Sequence, residues 1–370
     1  MLDQSGPWGT GPFILSKGYS SLTNIPALIK TTPFQATWLT VKEERTPYVL
    51  LEANQQYWNK KRGPKLKSVV FRNDLTLKEA LHLCTTTEGQ VDIVTKVSPK
   101  DSGIVKTSTI AKLMNVKGNE ILTGVFNQFQ QHLPFNDRRL RLAVNLAVDR
   151  MELIEQGFKS YAQQVPALTL PWAFDFPEEL VAREHNPTRA RQLLNEVGWP
   201  EGRKLKLAVK EKYEDICRLL ASQLEKNLQV GVEVFIIPFD DEVKWDRVNA
   251  EKKIAPPWDV LIASTTALFL EDTPAYFHRE FFGSDGKLRM GPVQPEFERL
   301  YQKMMMQTDR TKRLEVAKDI DRYVYKEALS LFLCSPEELY AVNRHVDFKP
   351  YKTTFELAET SVSDQHWSRK

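Results

Sequence analysis

The chain has 370 residues, of which 42% are hydrophobic and 27% charged, a composition that supplies apolar cores. A single core stops growing near about 250 to 300 residues, so two or three compact units are expected rather than one. Lys and Arg number 51 against 48 Asp and Glu, and a net charge of +3 spread along the chain gives no concentrated field for nucleic acid or an anionic membrane.

The three cysteines, Cys84, Cys217 and Cys334, stand far apart with no CxxC pair, which argues against a disulfide framework and a structural zinc site. Apolar runs such as residues 329–333 are far too short to span a bilayer. Met1 is followed by Asp3, Pro7 and Trp8 rather than by a basic segment and a long apolar one, so no secretory signal is read at the start. Residues 6–13 instead resemble the middle of a domain, and a missing front end is expected.

In chain order, strands are expected at Phe13-Ile14-Leu15, at 38–41 and at 48–51, broken by Gly18, Pro26, Pro33 and Pro47. A further strand covers 68–71. Thr76 caps a helix carrying Ala80, Leu81 and Leu83, and a strand resumes at 89–94. Asp137 caps a helix in which Leu140, Ala143, Val144 and Ala147 recur at i, i+3, i+4 and i+7. The clearest helix starts at cap Asn186 with Pro187 in its first turn and stops at Gly198. Alternation at 205–209, a helical stripe of Ile216, Leu219, Leu220 and Leu224, and alternation at 232–236 form a βαβ unit, which requires a parallel pair and a right-handed crossover. A strand at 258–263 leads into Ser264-Thr265-Thr266. Parallel sheets bind ligands beyond the carboxyl ends of their strands, so this polar stretch is a candidate site as well as a candidate capping loop. Two late helices, at about 295–306 and 309–328, precede strands at 329–333 and 339–342, separated by Pro336.

Patterns for chemistry are weak. Gly9-Thr10-Gly11 lacks the third glycine and the lysine of a phosphate cradle, no GxSxG elbow occurs, and the six histidines never fall at a metal spacing. His278 beside Glu280 and His345 beside Asp347 read as surface residues, and Asp240-Asp241-Glu242 as a turn and helix start. Trp172, Phe174 and Phe176 alternate beside Pro171 and either line an apolar pocket or fill a seam between lobes. Tyr276, Phe277, Phe281 and Phe282 recur at helical spacing, as core residues do. Neither a catalytic group, a metal site nor a cofactor is expected, and the chain reads as a non-enzyme.

Several segments together resemble the family 5 extracellular solute-binding proteins, the oligopeptide, dipeptide and nickel receptors of ABC importers. Gly9-Thr10-Gly11-Pro12-Phe13 resembles that family's opening strand GTGPY, and Leu51-Glu52-Ala53-Asn54-Gln55-Gln56-Tyr57-Trp58, followed by Pro64-Lys65-Leu66, its LxxNxxYW signature. Gly89-Gln90-Val91-Asp92-Ile93 is similar to its G.vDi turn. Residues 134–150, from Pro134-Phe135-Asn136-Asp137 through Arg141 to Asp149-Arg150, resemble PF.D.rVRqAl.yAiDR, and 190–198 resemble A..LL.eAG. Pro295-Glu296-Phe297 with Arg313 also fits. The matches are ordered and cover nearly the whole chain.

The resemblance implies an α/β, two-lobe periplasmic-binding-protein-like fold of mixed sheets with flanking helices, truncated at its N-terminus. The first lobe would hold 1–122 and 346–370, incomplete, and the second 123–345. The implied function is capture of a small-molecule or oligopeptide ligand between the lobes by hinge closure, without bond chemistry, and delivery to the transmembrane subunits of an ABC permease. The protein would be a monomer without a nucleic-acid partner, periplasmic or a cell-surface lipoprotein whose signal segment is absent from this chain. The alternatives are a cytoplasmic ligand-sensing domain of a transcriptional regulator, told apart by what precedes residue 1, and a saccharide-binding receptor. Peptide-binding members carry an Asp for the ligand's ammonium in a segment GW..D...P; here the aligned positions are Leu268, counting from Asp259-Val260, or Leu270, counting back from Pro274, with Glu271 and Asp272 nearby. A buried ammonium without its partner is destabilised by roughly 3 to 5 kcal/mol, so a less charged or differently held solute is expected. The other candidate lining residues are Asn127, Phe129, Trp172, Ser264, Thr265 and Thr266.

Overall fold

The computed structural model describes residues 9–23, 28–32, 35–38, 42–129, 135–266, 275–350 and 356–370. The chain divides into two compact units: one is Met1–Lys30, Ala36–Lys117 and Glu337–Lys370, the other Thr31–Gln35 and Gly118–Pro336.

The chain opens with strands β1 (Phe13–Lys17), β2 (Ser20–Thr23), β3 (Leu28–Thr32), β4 (Gln35–Trp38), β5 (Lys42–Arg45), β6 (Tyr48–Ala53) and β7 (Ser68–Arg72). They pair as an antiparallel sheet β1-β6-β7 and as the separate pairs β2-β5 and β3-β4. Helix α1 (Leu77–Thr86) begins where expected. Thr76 Oγ1 accepts from Glu79 N while the Glu79 carboxylate accepts from Thr76 N, a reciprocal cap that satisfies two otherwise orphaned donors. The strand expected at 89–94 is shorter, β8 (Ile93–Val94), because Gly89 adopts φ +86°, which turns the chain away from extended pairing. Helix α2 (Ser102–Thr107) and strand β9 (Ala111–Lys117) complete this stretch.

The second unit begins with β10 (Glu120–Phe126) and continues through α3 (Arg138–Leu146), α4 (Arg150–Phe158), β11 (Ala162–Gln164), α5 (Pro187–Val197), β12 (Leu205–Lys210), α6 (Glu214–Leu228), β13 (Val232–Ile237), α7 (Glu242–Glu251), β14 (Val260–Thr266), α8 (Ala275–Phe282), α9 (Pro295–Met305) and α10 (Arg310–Lys326) to β15 (Ser330–Asn343). The strand order is β11-β15-β10-β14-β12-β13, with β12 parallel to both β13 and β14, and β10 antiparallel to β14 and β15. The βαβ unit read from the sequence is thus β12-α6-β13.

Alternation along the strands sends side chains to two separate cores. Leu122, Phe126, Leu207, Val209 and Ile262 pack with Val144, Ile154, Leu193 and Leu220 of α3 to α6. Val125, Ala208, Leu261 and Phe332 face the other way, onto Trp258, Phe281, Phe297 and Ile320. Burying one large apolar side chain contributes about 1.5 to 3 kcal/mol, so a sheet covered on both faces is strongly held.

Three expectations change. The polar stretch 264–266 is the last part of β14 rather than a loop after it, since Glu120, Ile121 and Leu122 of β10 stand opposite Thr266, Thr265 and Ser264 and complete their ladder. Pro336 does not divide two strands. It stands opposite Ala162 at the end of the β11 ladder, after Cys334, the last residue paired with β10, and before Glu337, the first paired with β9, so its missing N–H falls at a ladder end. His278 is not on the surface: it is 1% exposed and its Nε2 lies 2.5 Å from Asp321 Oδ1, with Thr169 Oγ1 donating to the other carboxylate oxygen.

From Glu337 onward β15 belongs to the first unit, and there it pairs with β8 and β9. The chain ends with β16 (Val346–Asp347) paired to β17 (Ser361–Val362), and Tyr340, Val342, Val346 and Phe348 form a core there with Ile93, Met114 and Val116.

Candidate ligand site at the strand ends

β12 and β14 run parallel and finish at the same edge of the second unit's sheet, where the antiparallel β10 begins. That edge is where parallel α/β sheets present polar groups to ligands. A short turn, Glu211–Tyr213, leads from β12 into α6 and brings Tyr213 against the first residue of β10. The Tyr213 hydroxyl donates to Glu120 Oε1, and Lys212 Nζ lies 2.7 Å from the same hydroxyl and 3.3 Å from the same carboxylate oxygen. The Ser264 side chain also hydrogen-bonds Tyr213.

Burial, followed by the charge of Glu120, pushes the Tyr213 hydroxyl well above the ordinary phenol range. It is therefore a donor at any physiological pH. Tyr213 is 8% exposed while Lys212 and Ser264 are exposed, so the cluster has a fixed base and a solvent-facing rim. Such a rim presents an ammonium, a hydroxyl and a partly exposed carboxylate, enough to hydrogen-bond both donors and acceptors of a polar solute.

Of the residues expected at a site, Ser264 and Thr265 sit on this edge, and Thr266 ends β14. Trp172 packs half-buried on Ile121, Val165 and Leu170, so it belongs to the same end of β10, on the face opposite Glu120. Phe174 is 58% exposed and stacks under the Arg310 guanidinium at 5.2 Å. Asn127 and Phe129 follow the other end of β10, about 20 Å away for a seven-residue strand. Asn127 is fully buried: its Nδ2 donates to the carbonyls of Pro256 and Trp258 at 3.1 and 2.8 Å, and its Oδ1 accepts from Phe129 N. Its amide locks a loop. Leu268, Leu270, Glu271 and Asp272 lie outside the described residues.

Glu120, Lys212 and Tyr213 were not singled out from the sequence. The signal available was Lys210-Glu211-Lys212-Tyr213 directly after the apolar strand at 205–209, the same strand-end argument that points to Ser264.

Residues 4–286 match the family model for bacterial extracellular solute-binding proteins, family 5. The chain belongs to this family. Among curated relatives, glutathione-binding protein GsiB of Pectobacterium atrosepticum is 23% identical over 313 residues, covering 81% of this chain and 57% of the relative. A dipeptide-binding protein of Pseudomonas aeruginosa is 21% identical over 238 residues, 63% of this chain and 39% of its own. Among solved structures, the ABC transporter substrate-binding protein CtaP of Listeria monocytogenes superposes with a TM-score of 0.76 at 17% identity, covering 96% of this chain and 67% of that one. NikA of Brucella suis, in complex with Fe(III)-EDTA, gives 0.74 at 16% identity over 96% of this chain and 68% of that one. The fold is therefore that of the periplasmic binding proteins, as the α/β reading of the sequence expected, and the chain spans 57% or less of these two curated relatives. No helix among the described residues is long and apolar enough to cross a membrane.

Proposed function

We propose that this chain is the substrate-binding component of an ABC-type importer, which captures a peptide or peptide-like solute by hinge closure of its two units and delivers it to a membrane permease. Two lobes near 1–122 with 346–370, and 123–345, remain part of that proposal, as do a monomeric state, a non-enzymatic role and a periplasmic or surface location. The observation that carries the reading is the family match over residues 4–286, with glutathione- and dipeptide-binding proteins among the relatives.

The strand-end cluster supports the ligand class. An amide-rich solute offers N–H donors and C=O acceptors in equal number, and Glu120, Lys212, Tyr213 and Ser264 supply both complements at one edge. Ligand contacts from Trp172, Thr265, Thr266, Leu268, Leu270, Glu271 and Asp272 belong to the same proposal, and the two leucines keep the solute's grip away from a buried ammonium.

Calorimetric titration with glutathione and with a di- to pentapeptide library, free and N-acetylated, tests this. The expected result is saturable binding that survives N-acetylation, with a smaller radius of gyration in solution scattering when ligand is bound. Absence of any binder, or an unchanged scattering profile at saturation, overturns the reading.

A further inference from the structure

Strands β12 and β13 are parallel and in register, from Leu205 opposite Val232 to Lys210 opposite Ile237, so they finish together. The turn that follows β13 therefore lies beside the turn that follows β12, the one that carries Lys212 and Tyr213 of the strand-end cluster. The two turns touch, since Phe239 N donates to Glu211 Oε2 at 3.4 Å. Pro238 enters the second turn extended, at φ −62° and ψ 152°, a φ its ring enforces, and Phe239–Asp241 close one tight turn into α7. Lys210 Nζ, at the end of β12, pairs with Glu242 at 2.9 Å and Asp246 at 3.4 Å on α7. Polar contacts thus hold the turn on both sides.

Out of this fixed turn stands Phe239, 76% exposed, more than any other large apolar side chain among the described residues. Phe235, four residues earlier, finds cover on Trp245 and Trp258 at ring distances of 5.7 and 5.8 Å, whereas Phe239 stays in water. Single exposed apolar side chains are ordinary on protein surfaces. This one differs in place: it is rigidly held beside hydrogen-bonding groups, and apolar surface with a few placed polar groups is the composition of a small-molecule site. Asp240 and Asp241 follow it directly and put negative charge beside the ring. Neighbouring strands lie about 4.8 Å apart and an extended peptide advances about 3.3 Å per residue, so a solute whose amide is held by Glu120, Lys212 and Ser264 brings the side chain of a neighbouring residue over Phe239.

We propose that Phe239 is a specificity-determining residue of the strand-end site: it covers, and is covered by, an apolar side chain of the peptide solute, while Asp240 and Asp241 turn an acidic side chain away. The inference rests on the importer reading and narrows its substrate class to peptides with an apolar side chain at one fixed position. Because the ring is already fixed, an apolar group that covers it gains contact without the cost of ordering a loop.

The test is calorimetric titration of the whole chain with N-acetyl-trialanine, its single-leucine forms and its single-aspartate forms. Leucine at one position should strengthen binding at least fivefold over trialanine, and aspartate at that position should weaken it at least fivefold. In Phe239→Ser, which alters neither core, the leucine form should bind within twofold of trialanine. Ile254→Ser removes an apolar side chain of similar exposure, 69%, from the segment before β14, at the other end of that strand, and should keep the fivefold preference. A leucine preference that is absent at every position, retained in Phe239→Ser or lost equally in Ile254→Ser overturns the inference, as does aspartate bound as tightly as alanine. Should none of these peptides bind while a member of the wider peptide library does, the inference falls and the importer reading stands. Should neither bind, both fall.

Discussion

The Tyr213 hydroxyl, donated to Glu120 Oε1, ties the turn after β12 to the first residue of β10. It is buried and fixed, while Lys212, which completes the cluster, has a side chain 68% exposed. The tyrosine therefore positions Glu120, and the lysine is the part free to meet a solute. Tyr213→Phe keeps the ring in its core and removes the donor. The expected result is a folded protein whose affinity for the solute proposed above falls about threefold to tenfold, the worth of one ordinary hydrogen bond. Lys212→Met should reduce affinity without changing the urea midpoint. Calorimetry and urea titration on the same samples separate the two effects.

Elements with strong punctuation were legible before the structure. α5 carries its own start in Asn186 and Pro187, whose side-chain cap on Arg189 N and ring at the first helical position are as expected, and its stop in Gly198, φ +84°. β10 had no such signal: Glu120-Ile121-Leu122-Thr123-Gly124-Val125-Phe126 is an interior strand, buried on both faces, with no clean alternation to announce it. The site was half legible for the same reason. The strand-end rule points to Ser264 and Thr265 as candidates, whereas Glu120 of the candidate cluster comes from a strand that only tertiary pairing reveals. The segment 134–150 was recognisable as a signature, yet its physical content, burial of Arg141 and Arg150, appears only when the carbonyls around them are seen.

Arg150 is 3% exposed, and burial pushes its guanidinium down to about 10. It donates to the carbonyls of Phe332 at 2.7 Å, Asn145 at 3.1 Å, and Val148 and Arg183 at 3.3 Å, joining the α3–α4 junction to β15. A lysine has one nitrogen where the arginine fork has three, and cannot reach both β15 and the helix junction. Arg150→Lys should lower unfolding free energy by about 3 kcal/mol, since two or more buried carbonyls lose their donors. Arg139, an exposed residue paired with Asp137, is the control: Arg139→Met should leave the midpoint unchanged.

Asp321 is buried between two donors, His278 Nε2 at 2.5 Å and Thr169 Oγ1, and it ties α10 to α8 and to the loop carrying Thr169. Asp321→Ala strands both partners in the core around Phe281 and Ile320. A loss of about 3 to 5 kcal/mol is expected on breaking a buried pair from one side, against less for Thr169→Val, which removes only the neutral donor. Urea unfolding followed by tryptophan fluorescence measures both. Equal losses would show that the carboxylate's pairing with His278 contributes nothing.

Lys252 gives a pH signature with a definite sign. Burial first, then the charge of Arg289, pushes its ammonium from 10.5 down to about 8, against opposing pulls from Glu280 and Asp285. Between about pH 8 and the ordinary lysine value near 10.4, the unfolded chain holds a proton that the folded chain has released. Stability therefore rises with pH through that window, and below it both states are protonated and the contribution is flat. In Lys252→Met the rise attributable to this group vanishes, so the difference between wild-type and variant midpoints should be constant below pH 8 and change steadily up to pH 10. Urea titrations at half-unit intervals of pH measure this difference, in which the ionisation of tyrosines and of the remaining lysines cancels. A difference that stays constant through pH 10 would mean that the Lys252 amine keeps its proton in the folded protein, held by Gly286 O and the carboxylates beside it.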